Sequence, residues 1–281
     1  MRLTDRIQTV PDDPEEATDP ADIFHDAVGS IFSDDVRDQH GHPSATILYK
    51  SEKYGTLKLK VATPEQELDW RLFAHYLWNA GVKMAILWNV AGERVLELGS
   101  GCGLPGIVAT LAGATEVKLS DYPSPSTFRA LHHNIATNVP VSLQSGISAA
   151  PHVWGDFFTS SRSRFPLSSS CTLSASQPRH YTRVLAADTY WLQSQHANLA
   201  RSMLHFLAME ERARVLMIAG FHTGRKVLGR WFETAKKEGL DVEVAWEESG
   251  DGAVREWMVG RQEGFEEEKK WMVLAVLKRK R

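Results

Sequence analysis

Cysteine is scarce in this chain. There are two in 281 residues, Cys102 and Cys171, and their spacing suits neither a disulfide framework nor a zinc site. A small disulfide-stapled scaffold is therefore excluded, and no metal is expected. Long apolar runs are also lacking. No stretch approaches the roughly 20 residues of a membrane-spanning helix. The first thirty residues are acidic and hold no apolar core of signal-peptide length. The expectation is a reduced, cytoplasmic setting with no membrane partner. Excess charge of one sign is missing too: 32 Lys and Arg against 35 Asp and Glu leave a formal −3. That balance gives no general reason to expect a nucleic-acid partner.

What is present is an ordinary globular composition, 43% apolar and 24% charged, long enough for one large α/β domain or two small ones. Residues 1–44 read as an acidic, partly disordered extension, with a short helix at 23–31. Residues 45–281 read as one domain. Two strands are expected around Lys50 to Gly55. The three- and four-residue spacing of Leu68, Leu72, His75 or Tyr76, and Asn79 predicts a helix over 65–88, with Gly81 as its candidate break. From Glu93 onward strand and helix alternate. Strands are expected at 94–98, 116–120, 141–148, 181–187, 213–219, 242–247 and 271–277. Helices are expected at 104–112, 124–138, 194–207 and 226–238. Residues 159–178 are serine-rich with scattered arginines and form a surface insertion. Alternating β and α predicts a parallel sheet covered by helices on both faces, with ligands at the carboxyl ends of its strands.

The most informative stretch is Val95 to Gly106, VLELGSGCGLPG. An apolar strand feeds a glycine-rich turn and then a helix. Gly99, Gly101 and Gly103 let backbone approach a ligand closely. Glu97, two residues before the first glycine, restricts that ligand. A pyrophosphate would be repelled there, whereas the cationic sulfonium and ammonium groups of S-adenosylmethionine (AdoMet) would not. Asp121 ends the next strand, where it can take paired hydrogen bonds from ribose hydroxyls; Tyr122 follows it into the same site. The spacing leaves a second reading open. Gly101, Gly103 and Gly106 satisfy G-x-G-x-x-G, and Asp121 follows about 20 residues on, as in NAD-binding domains. A glycine turn without any ligand is the blandest alternative.

LELGSGCGLPG resembles motif I of the class I, seven-strand AdoMet-dependent methyltransferases. LWNAG, LSDYP, VWGD and AADTYWLQSQH follow the order found in methyltransferase family 16, whose fungal branch includes the elongation factor 1-alpha N-terminal and lysine methyltransferase. The resemblance runs from about Leu48 to Leu277. It implies a seven-strand Rossmann-like sheet and AdoMet as cofactor. It also implies cofactor contacts from Trp78, from the Gly99-Ser100-Gly101 turn to the methionine part, from Asp121 to the ribose, from Trp154 to the adenine and from the Ala187 backbone.

Asp188-Thr189-Tyr190-Trp191 matches the family's motif after the fourth strand, an acid followed three residues later by an aromatic. The resemblance therefore makes Asp188, Tyr190, Trp191 and His196 the catalytic candidates. Asp188 can orient an amine, and Trp191 with Tyr190 can hold a cationic centre by cation–π attraction of about 0.5–2 kcal/mol. Core packing is the alternative for Tyr190 and Trp191, and an exposed helix face for His196. Leu192-Gln193 replaces the asparagine-histidine pair of the elongation-factor branch. The reaction implied is N-methylation of a protein lysine or N-terminal amine, elongation factor 1-alpha included. Small-molecule N-methylation (of nicotinamide, after which this fungal branch is often labelled, or of a secondary-metabolite amine), an NAD-dependent oxidoreductase and a non-catalytic AdoMet-binding module are the alternatives. A monomer is expected.

Overall fold

The computed structural model describes residues 2–11, 39–43, 45–157, 173 and 177–280. The strands are β1 (Ile7–Pro11), β2 (Gln39–His40), β3 (Ala45–Ser51), β4 (Gly55–Lys60), β5 (Leu77–Trp78), β6 (Arg94–Leu98), β7 (Glu116–Asp121), β8 (Ile147–Pro151), β9 (Arg183–Ala187), β10 (Arg214–Gly220), β11 (Leu240–Ser249), β12 (Val254–Glu256) and β13 (Trp271–Arg279). The helices are α1 (Glu67–Arg71), α2 (Asn79–Leu87), α3 (Leu104–Leu111), α4 (Pro125–Asn138), α5 (Val141–Gln144), α6 (His196–Phe206), α7 (Arg225–Glu238) and α8 (Phe265–Glu268).

The main sheet has the order β12-β11-β13-β10-β9-β6-β7-β8. β8, β7, β6, β9 and β10 are parallel, and β13 inserts antiparallel beside β10. The chain runs outward from β6 through β7 to β8, then returns to start β9 on the other side of β6, so order reverses between β6 and β9. The seven expected strands form this sheet. β12 adds an eighth at the edge by folding back on β11.

The central strands are buried on both faces, which is why they read as near-continuous apolar runs. Their side chains still alternate. Val95, Leu185, Leu216 and Ile218 point to the core shared with Val82, Met84, Leu104 and Ile107 of α2 and α3. Leu96, Leu98, Val184, Ala186, Val215 and Met217 point to the core shared with Leu199, Met203, Phe206 and Trp231 of α6 and α7.

A second, antiparallel sheet of β1, β3 and β4 packs on α4. Among the described residues its β4 edge meets no strand; two asparagines of α4 stand in for one. Asn134 Oδ1 accepts from the Lys60 N–H, and its Nδ2 donates to the carbonyls of Lys60 and Cys102. Asn138 treats Lys58 in the same way. Asn134 is fully buried, so these bonds close a backbone edge that would otherwise be unsatisfied. They also tie that sheet to the turn after β6.

Several boundaries depart from expectation. The 1–44 extension joins the domain at both ends: β1 pairs with β3, and β2 pairs with β5. Its expected helix at 23–31 lies outside the described residues, as does nearly all of the 159–178 insertion. Residues 141–144 are helical, and the third strand of the alternation starts only at Ile147. The expected 65–88 helix is broken at 72–78, and Gly81 lies inside α2 rather than at the break. The cause is functional geometry. Leu72, Phe73, Ala74, Tyr76, Leu77, Trp78 and Gly81 line a cavity, so their apolar character serves a ligand wall rather than a helical stripe.

Candidate functional site

That cavity, about 560 Å³, sits at the carboxyl ends of β6, β7, β8 and β9. This is the reversal point where ligands of doubly wound sheets bind, and the volume falls in the usual range of roughly 300–1,000 Å³.

Its floor is the turn after β6. The Ser100 hydroxyl shares its one proton between the carbonyls of Glu97 and Ser120 and accepts from the Ser120 N–H, so β7 holds the turn rigidly. Gly99 has φ +69, and a Cβ there would lie 2.5 Å from Thr189 Cγ2 of the loop after β9. Only glycine lets those two loops close together. Gly101 has φ +51; a Cβ there would meet nothing within 4 Å, and its N–H donates 2.8 Å to Asp121 Oδ2.

Two carboxyls are buried in the floor. Glu97 Oε2 accepts from the Gly106 N–H at 2.9 Å, capping α3 from within the strand. Burial pushes its pKa up to about 8; the Gly106 bond opposes this, and the nearby Asp121 charge adds to it. Asp121 Oδ1 accepts from the Tyr122 N–H at 2.7 Å. Burial lifts the Asp121 pKa to about 6 against the pull of its two backbone donors.

The walls are aromatic. Tyr122, Val153 and Trp154 form one side, reached from β7 and β8. Phe73, Tyr76, Trp78 and Trp191 form the other. Phe73 meets Trp191 edge-on at 5.2 Å and Trp78 at 6.3 Å. Ala187 and Asp188 join the lining from the end of β9. Asp188 has φ +55, a left-handed conformation that asparagine and aspartate tolerate better than other side chains.

A model of methyltransferase family 16, described as lysine methyltransferase, matches residues 70–238. The chain is 30% identical over 186 residues to the protein N-terminal and lysine N-methyltransferase efm7 of Schizosaccharomyces pombe, covering 63% of this chain and 68% of that one. It is 29% identical over 216 residues to the enzyme of the same name in Gibberella zeae, covering 71% and 76%. The chain belongs to the lysine methyltransferase family. It is an AdoMet-dependent methyltransferase.

The residues present in this lysine methyltransferase fit that cofactor. Two buried carboxyls with raised pKa values, held by backbone N–H groups, make a site that gains from a cationic ligand. The open side of Gly101 leaves the backbone approachable. The NAD reading fails at the helix. A pyrophosphate needs the free N–H groups of α3. Pro105 has none, the Gly106 N–H is given to Glu97, and Ile107 bonds back to Gly103.

The structure brings together Trp78, Glu97, Gly99, Ser100, Gly101, Asp121, Tyr122, Trp154, Ala187, Asp188 and Trp191. It corrects two expected catalytic residues. Tyr190 is 1% exposed; it packs 4.7 Å from Trp231 and does not line the cavity. His196 is buried as well, its Nε2 2.8 Å from the Tyr190 carbonyl and its ring edge-on to Trp231 at 5.6 Å. The left-handed turn at Asp188 explains both: Asp188 and Trp191 go to the cavity, while Tyr190 goes to the core under α7 and His196 fastens it there. Phe73 and Tyr76 were missed because their segment read as helix. His222, 2.8 Å from Asp188, was missed because it stands in no motif; its place directly after β10, at the same edge of the sheet, was the available signal.

A pH dependence follows for this family member. A carboxyl raised by burial stabilises the fold while protonated, and that contribution is lost as pH rises through the folded value, about 6 for Asp121 and about 8 for Glu97. A cationic ligand favours the ionised forms. Between pH 5 and 7, AdoMet affinity should therefore rise with pH, and binding should release protons. Calorimetry in two buffers of different ionisation enthalpy measures both. Proton uptake on binding would contradict the assignment.

Proposed function

We propose that this enzyme methylates a primary amine of a protein, either the N-terminal α-amine or a lysine side chain, with translation elongation factor 1-alpha as the first acceptor to test. The observation that carries the proposal is a cavity lining that joins Asp188 to Phe73, Trp78 and Trp191, a carboxyl residue beside aromatic rings, which suits an amine. The names of the fungal relatives, which include protein N-terminal and lysine methylation, support the same acceptor class.

AdoMet when bound supplies a methyl group on a sulfonium that departs as a neutral thioether. The chain's own part is placement. Glu97, Gly101 and Asp121 would hold and orient the cofactor, and Trp154 would wall its adenine. Trp191 and Phe73 confine the amine. Asp188 accepts a hydrogen bond from it, so that the nitrogen lone pair faces the methyl group and the departing proton has an acceptor. The N–C bond forms as the S–C bond breaks, with little new charge to stabilise. Most of the acceleration is proximity and orientation, which contribute about 7–11 kcal/mol in well-aligned systems.

The test supplies tritiated AdoMet with unmodified recombinant elongation factor 1-alpha, with the same protein acetylated on its amines, and with nicotinamide. Label is expected in the unmodified protein and not in the acetylated one. Label confined to nicotinamide would replace the protein acceptor with a small amine.

A further inference from the structure

Asp188 is held by a device that no motif announces. Its Oδ1 accepts from the Gly220 N–H at 3.2 Å, and its Oδ2 lies 2.8 Å from His222 Nε2. The side chain of Asp188 is 7% exposed and that of His222 23%. His222 does not line the cavity, whereas Asp188 does. The imidazole is wedged between that carboxylate and Trp78, whose ring centroid is 4.7 Å away.

Two details show that this contact is built. A Cβ at position 220 would lie 2.5 Å from His222 Nε2, so glycine there makes room for the ring. The neighbouring residues anchor the loop. Phe221 is buried and stacks on Trp257 at an interplanar angle of 13°. Arg225 lies 4.3 Å over the Phe221 ring and pairs with the fully buried Glu247. The histidine thus projects from a loop fixed on its far side.

We propose that His222 is a positioning residue for methyl transfer: through an Nε2–H···Oδ2 bond it fixes the Asp188 carboxylate, leaving the remaining lone pairs to face the amine. The inference rests on Asp188 being the amine acceptor as proposed above. With one oxygen tied to Gly220 and the other to His222, the carboxylate cannot rotate. The same imidazole packs on Trp78, but that ring is also held by Phe73 and Tyr76, at 6.3 and 6.0 Å, so the cofactor wall does not depend on His222.

Substitution tests this with two readouts. His222→Ala should lower kcat for elongation factor 1-alpha by about 10- to 100-fold, with the AdoMet Kd within about threefold. His222→Gln places an amide N–H at nearly the position of Nε2 and should recover most of the loss. In an Asp188→Asn background, His222→Ala should cost less than about twofold, because the carboxylate it served is gone. A kcat within twofold of wild type for His222→Ala, a glutamine variant as defective as alanine, or losses that multiply with Asp188→Asn would each overturn the proposal. The second readout needs no acceptor. Imidazole nitrogen NMR of the AdoMet-bound protein should show His222 protonated at Nε2, with a resonance that shifts in Asp188→Asn. An unshifted resonance overturns the pairing. If wild type labels no protein while that resonance still shifts, the acceptor assignment has failed and the pairing has not.

Discussion

Asp121→Ala should weaken AdoMet binding by at least 100-fold while leaving the protein folded. We expect Asp121 to take two ribose hydroxyls as a charged acceptor, and hydrogen bonds to a charged group contribute about 1.5–3 kcal/mol each. Two of them give about 3–6 kcal/mol, or roughly 10² to 10⁴ in Kd. The substitution also strips the Gly101 and Tyr122 N–H groups of their acceptor, which loosens the turn that forms the floor. Against that, a buried carboxyl with a raised pKa is a cost to the free protein near neutral pH. Its removal offsets part of the lost hydrogen bonding, so the melting temperature without ligand should move little, and the stabilisation that saturating AdoMet gives wild type should vanish. Calorimetry and thermal unfolding with and without AdoMet measure the two effects. A Kd within threefold of wild type would show that the ribose lies elsewhere.

The parts of this site legible in the sequence were those whose chemistry is local. A strand, a glycine turn and an acid fix the approach to the cofactor within a dozen residues, and Asp121 announces itself by ending the next strand. The cavity contains all of these. What stayed hidden depends on distant segments meeting. Phe73 and Tyr76 have helical spacing in the sequence, but the residues between α1 and β5 wrap a cavity, which the spacing of apolar residues does not distinguish from wrapping a core. Tyr190 and Trp191 are adjacent and aromatic, yet one is buried against Trp231 and the other lines the cavity. Only the backbone turn at Asp188 separates them, and a positive φ at a non-glycine residue leaves no mark in composition. Asn134 is the same kind of case on the fold side: a polar residue in a helix whose partner, the bare edge of β4, lies 74 residues earlier in the chain.

Asp188→Asn is the variant that separates chemistry from architecture. Alanine at this position would face the left-handed backbone without the local hydrogen bonding that makes it tolerable, mixing a folding penalty into the kinetics. Asparagine adopts that conformation readily and has the same shape. Its Oδ1 can still accept from Gly220, but its amide presents N–H groups where the carboxylate presented an acceptor. One would point at His222 Nε2, which can turn acceptor only by changing tautomer, and the charge that orients an amine is lost. The expected result is a fall in kcat of about 10² to 10³, in line with the loss of a positioned proton acceptor. The AdoMet Kd should stay within about threefold, because Glu97, Gly101 and Asp121 are untouched. Equal losses in transfer and in cofactor binding would make Asp188 a structural member of the cavity wall. Loss confined to transfer leaves it the group that presents the amine. The distinction turns on one carboxylate whose two oxygens are already committed, at 3.2 and 2.8 Å, to Gly220 and His222. An acceptor held that firmly before the substrate arrives does not have to be reorganised during transfer, and charge replacement at fixed shape is the change that removes this advantage alone.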